Sequence, residues 1–73
     1  MAYDYRKLLG RIVERVGTQK RFAELIGLSE HSVSQKLNNA LGWKQEEIRK
    51  ICEILEIPPV EVHSYFFTEQ VQY

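Results

Sequence analysis

The chain reads as an all-α domain of five short helices, and three observations carry that expectation. Apolar residues recur at three- and four-residue spacing in successive segments. Helix-capping residues, and the glycines and prolines that end helices, fall between those segments. No segment before the last few residues alternates apolar and polar side chains as a half-buried strand would. Seventy-three residues leave room for one domain. There is no internal repeat, low-complexity tract or Gly/Ser-rich linker, so one cooperative unit is expected.

The elements follow in order. Asp4 is placed to accept a hydrogen bond from the first free amides of a helix, in which Leu8, Leu9, Ile12, Val13 and Val16 recur on the inner side until Gly17 stops it. Thr18 is an N-cap for a second helix, Gln19 to Ile26, with Phe22, Ala23 and Ile26 on one face and Gly27 at its end. Ser29 caps a third, from about Glu30 to Asn38, with Val33 and Leu37 inward and polar residues elsewhere. The loop Asn38 to Gly42 leads to Trp43, which introduces a fourth helix running to about Glu56 with an apolar stripe of Ile48, Ile51, Cys52 and Leu55. Pro58 and Pro59 must break that helix, and Pro59 suits the first turn of a fifth, in which Val62 and Phe66 point inward. The division is a domain over 1–67 and a tail over 68–73. Tyr65, Phe66, Phe67, Val71 and Tyr73 are more aromatic and apolar than a free tail needs, so part is core and the remainder an exposed patch that marks a partner.

Composition excludes several classes of function. No apolar run approaches the roughly 18 residues that cross a bilayer, so no membrane role is expected. The charged segment Met1 to Arg11 lacks the apolar stretch of a secretory signal, which points to the cytoplasm. The single cysteine, Cys52, cannot form an internal disulfide and lies on an apolar stripe as a small core residue. His31 and His63 are far apart with no ligand-spaced partners, so no metal site is expected. The acidic pair Glu46 and Glu47 offsets the dipole in the first turn of a helix and is assigned no chemistry. There is no glycine-rich phosphate loop and no nucleophile motif; neither an enzyme, a catalytic residue nor a cofactor is expected.

Ten basic and ten acidic residues cancel, which is unexpected for a protein whose ligand is a polyanion. Residues 1–44 hold eight Lys or Arg against four acids, and residues 45–73 hold two against six. A basic half facing DNA and an acidic half facing away would reconcile the two.

The informative segment is 18–38, two short helices joined by a tight turn. Ala23 is small where the second helix crosses closely, Gly27 takes the positive φ that the turn needs, and Leu28 and Val33 fill the angle between the helices. Together with Gln19, Phe22, Ile26 and the close at Leu37 and Asn38, these residues resemble the helix-turn-helix of the Cro and phage-repressor superfamily, the lambda repressor-like or Xre-type fold. The run from Trp43-Lys44-Gln45 to Tyr65-Phe66-Phe67 is similar to small regulators of temperate phages of Gram-positive bacteria, modulators of repression among them. Two positions depart from the family pattern. Asn39 stands where glycine is common, a mild change because asparagine tolerates the left-handed conformation. Lys36 stands where an apolar residue is usual; either its stem covers the core edge while its amine reaches out, or the third helix is rotated toward Leu37.

The resemblance implies that the exposed face of the third helix enters the major groove of operator DNA. Glu30, His31, Ser32 and Gln35 are then the base-reading candidates, Gln35 by a bidentate pair with adenine and Glu30 by accepting from cytosine. Gln19 and Lys20 would position phosphate at the start of the second helix, with Ser29, Ser34, Lys36, Asn38 and Lys44 as further contacts. The function expected first is a Cro-like repressor of a lysis/lysogeny switch, acting in the cytoplasm of a bacterial host, with a homodimer supplying affinity. The alternative is a module that binds the cognate phage repressor instead, its neutral surface and Glu30 complementing a basic DNA-reading face. For Trp43 two placements stand, capping the core from the loop or exposed as a contact.

Overall fold

The computed structural model describes residues 2–71. Five α-helices follow one another: α1 (Arg6–Arg15), α2 (Gln19–Ile26), α3 (Glu30–Leu37), α4 (Gln45–Ile54) and α5 (Val62–Phe66), the last entered through a 3₁₀ turn at Pro59–Glu61. Helix α2 packs against α1, α3 and α4, and α5 packs on α1. Among the described residues the extended backbone amounts to one antiparallel bridge, Tyr3 with Glu69.

The start and stop signals act where the sequence puts them. The Thr18 hydroxyl accepts from the Arg21 amide at 3.1 Å, and Ser29 accepts from the Ser32 amide at 3.0 Å, satisfying amides that the first turn leaves free. Gly27 sits at φ +75°, and its amide and that of Leu28 return to α2 carbonyls, closing the helix end. At α1 the expectation is half met. Asp4 accepts from the Arg6 amide at 3.0 Å, but it precedes the N-cap, Tyr5, and its carboxylate also holds the Arg6 guanidinium.

The core joins Leu8 and Ile12 of α1, Phe22, Ala23 and Ile26 of α2, Val33 and Leu37 of α3, Ile51 and Leu55 at α4, and Tyr65 and Phe66 of α5. Val13, expected inside, is 64% exposed, because α1 turns the Leu8–Ile12 edge inward and carries Val13 away from it. Helix α4 ends at Ile54, short of Glu56, which takes φ +54°. Trp43 caps the core from the loop, with its ring edge-on to Tyr5 at 6.5 Å and to Phe66 at 6.1 Å.

The terminal segment is not a free tail. The Asp4 amide donates to the Thr68 carbonyl at 2.7 Å, and the Gln70 amide to the Ala2 carbonyl at 3.0 Å. The expectation for Tyr73 lies outside the described residues.

The two charge halves do not face opposite ways. Lys7 pairs with Glu61, Arg15 with Glu56 and Lys36 with Glu47, so cations of the first half are met by carboxylates of the second. Charge asymmetry along a chain does not survive folding when the elements that carry the two signs pack against one another.

Candidate functional site

The segment read from sequence as a helix-turn-helix is α2, the turn 27–29 and α3. The inner side of α3 is set by Val33, Lys36 and Leu37, which are buried. At helical spacing this leaves Glu30, His31, Ser34, Gln35 and Asn38 on the outer side. Glu30, His31 and Asn38 are exposed, and Ser34 and Gln35 half-buried. Lys20 is exposed at the start of α2, beside a half-buried Gln19.

Several of the expected contact residues are already engaged. The Ser29 hydroxyl donates to the Ser32 hydroxyl at 2.9 Å while capping the helix, so these two groups chiefly serve the α3 N-terminus. Ser34 accepts from the Asn38 side-chain amide at 3.4 Å. Lys44 is exposed and sits at the N-cap of α4.

Lys36 takes neither of the two expected forms and is no surface contact. Only 6% exposed, it turns its amine inward, where Nζ donates to Glu47 Oε1 at 2.8 Å and to the Gly42 carbonyl at 3.0 Å, 5.6 Å from the Trp43 ring centroid. Glu47 Oε1 also accepts from the Lys44 amide at 2.8 Å. Burial alone would raise the Glu47 carboxyl, but the hydrogen bonds from Lys36 and the Lys44 amide outweigh it and hold the group below its ordinary value. The first-turn carboxylate read from sequence as a dipole partner is thus half of a buried ion pair joining α3 to α4. Nothing local signals this, since the partners lie eleven residues apart on different helices.

A second residue whose role the sequence did not signal is Asn39. Its φ of +65° agrees with the left-handed tolerance expected of asparagine. Its side chain does more: Oδ1 accepts from the Tyr3 amide at 2.8 Å and Nδ2 donates to the Tyr3 carbonyl at 2.9 Å. The residue just past α3 therefore fastens the N-terminal segment. Beside it an open groove of about 490 Å³ runs between Tyr3, Leu41, Trp43, Ile48 and Phe67.

Seven of the ten cations lie within reach of a carboxylate, which leaves Lys20, Lys44 and Lys50 among the described residues as the positive charges without one. Glu30 has none of these cations as a partner, so the outer face carries unpaired charge of both signs rather than the basic stripe of a DNA-binding surface.

The fold is thus a small all-helical one, whose α2–α3 pair turns outward a face with unpaired charge of both signs among the described residues. The chain belongs to the family described as "Protein of unknown function (DUF739)", which it matches over residues 1–69. It is similar to the modulator of repression (MOR) of the temperate bacteriophage TP901-1 from Lactococcus lactis. That solution structure is 49% identical, with a TM-score of 0.81, over 99% of this chain and 97% of that one. No curated protein matches the chain. These findings correct the family drawn from the helix-turn-helix residues: the matching family is not a Cro or phage-repressor helix-turn-helix family. The steric pattern Ala23, Gly27, Leu28 and Val33 specifies how two helices cross, and any family using that crossing needs it.

Proposed function

We propose that this chain is a modulator of repression, a non-catalytic module that binds a phage repressor protein and changes its hold on DNA. The observation that carries the reading is 49% identity along 99% of the chain to a protein of that description. Identity at that level runs the length of the chain rather than being confined to one motif. Its site of action is then the host cell, where the repressor is; no helix among the described residues is long and apolar enough to cross a membrane.

Charge supports the same reading. A module that holds DNA by itself needs several free cations along one face, because each phosphate neutralised contributes to affinity. Here the helix-turn-helix unit carries Arg21 beside Glu24, Lys36 buried against Glu47, and Lys20 alone. Glu30 at the tip of α3 repels phosphate and suits the basic face that a repressor turns toward its operator. The Cro-like reading expected first from sequence stands behind this one; operator binding and self-association become outcomes of the test.

The test is a titration of the purified chain into a complex of a temperate-phage repressor with its labelled operator, the repressor of the phage TP901-1 first. The expected result is disruption or retardation of that complex at near-stoichiometric protein, with no sequence-selective binding by the chain alone. Tight, selective, steeply salt-dependent binding by the chain alone, with the repressor complex untouched, would restore the operator-binding reading and sink this one.

A further inference from the structure

We propose that the aromatic groove beyond α3 is a second contact site for the repressor, taking a large apolar side chain that has a carboxylate close by. The inference rests on the repressor-binding reading and adds to it a place and a chemistry. The groove begins at Asn39, just past the C-cap of α3, so it adjoins the C-terminal end of that helix. Its volume of about 490 Å³ suits one or two large side chains. Leu41 and Phe67 stand on it 47% and 40% exposed, a cost in water that a partner would remove.

The walls are held before any partner arrives. Tyr3 is fixed at both its amide and its carbonyl by Asn39, and its ring meets Phe67 edge-on at 5.9 Å. Trp43 is braced between Tyr5 and Phe66 and lies against the Lys36 amine. A preformed aromatic site loses little side-chain freedom on binding, which is how a few residues come to dominate an interface.

Charge selects the occupant. Among the described residues no ionised side chain lines the groove, so its floor rejects a buried charge. Lys44, whose neighbours Trp43 and Gln45 both line it, is exposed without a carboxylate within ion-pair distance among the described residues. Glu30 is unpaired at the other end of α3, about 12 Å of helix away. The surface therefore asks for a cation near Glu30 and an apolar residue next to an acid near Lys44. A DNA duplex meets only half of this, since its phosphates would be drawn to Lys44 while its bases stay stacked inside the helix and leave the aromatic slot unfilled.

The test measures the affinity of the whole chain for the purified repressor by calorimetry, for the wild type, Leu41→Asp, Lys44→Glu and Glu30→Lys. Leu41 and Lys44 are exposed, so the fold should be kept, and melting curves verify it. The expected result is a loss of at least tenfold for Leu41→Asp and Lys44→Glu, with melting unchanged. Titration of repressor into the ¹⁵N-labelled chain should also shift the Leu41 and Phe67 amides and the Trp43 indole. Wild-type affinity in both groove variants, with loss confined to Glu30→Lys, would overturn the groove and leave the repressor-binding reading standing. No binding by the wild type would overturn both. A wild-type dimer in sedimentation that Leu41→Asp dissociates would assign the groove to a second copy instead.

Discussion

Helices α2 and α3 are neighbours of equal length, eight residues each, and they start in the same way. A hydroxyl at the N-cap accepts from the amide three residues on, at 3.1 Å in one and 3.0 Å in the other. Their inner faces differ in kind. Helix α2 buries Phe22, Ala23 and Ile26, an apolar set that any close-packed neighbour can hold. Helix α3 buries Val33, Leu37 and between them Lys36, whose amine must find Glu47. One helix is placed by shape and the other by shape plus a charge pair. The helix whose outer face is proposed to meet the partner is the one oriented by the polar contact, so its direction depends on α4 as well as on its own sequence.

The strongest way to break the comparison is to remove shape from α2. Phe22 is fully buried, and Phe22→Ala should cost about 3 to 5 kcal/mol in urea denaturation. A loss below about 1 kcal/mol would mean that α2 is not the packed anchor. Next is the charge pair. Lys36→Met leaves a largely buried carboxylate without its cation and should cost about 2 to 4 kcal/mol, whereas Lys36→Met with Glu47→Leu should return to within about 1 kcal/mol of wild type. If the double variant is as damaged as the single one, the pair is not what orients α3 on α4, and the hydrogen bond from Lys36 to the Gly42 carbonyl carries the contact instead.

The same pair predicts a pH dependence. Glu47 is held below its ordinary value in the folded chain, so it binds a proton less readily folded than unfolded. Its contribution is present in full above the ordinary glutamate value of the unfolded chain and is lost as pH falls through the lowered folded value. Chemical denaturation between pH 6 and pH 3 should show stability declining on the acid side, and Glu47→Gln should flatten that limb. The two caps give a smaller effect and an internal control. Thr18→Ala and Ser29→Ala should each cost about 1 kcal/mol. A Ser29 cost well above the Thr18 one would show that its bond to the Ser32 hydroxyl adds to the cap.

What was legible in the sequence follows the same division. The bounds of α2, its cap, its closing glycine and its inner face are all local, and they are where the residues put them. The polar half of the site was not. Lys36 was expected on the surface because a lysine at helical spacing says nothing about a carboxylate eleven positions on, and Glu47 was given to the helix dipole for the same reason. The basic-half and acidic-half reading failed likewise, since Lys7, Arg15 and Lys36 find their acids only once α1 and α3 have packed on later elements. The family resemblance went astray for a related cause: small residue, glycine and apolar spacing record the crossing of two helices, not what the outer face meets.

The last prediction separates that outer face from the packing beneath it. Glu30 is exposed and its carboxylate has no ion-pair partner among the described residues, so Glu30→Lys should move stability by less than about 0.5 kcal/mol. Reversing its charge should nonetheless weaken repressor binding at least tenfold, because a cation then faces the basic surface that Glu30 complements. The direction of the change is the informative part. A polyanion would bind the lysine variant more tightly and with a steeper salt dependence, whereas a basic protein face would bind it less tightly, most of all at low salt. Affinity for repressor and for operator DNA, measured on this one variant at two salt concentrations, therefore identifies by its sign the partner that the α3 face was built to meet.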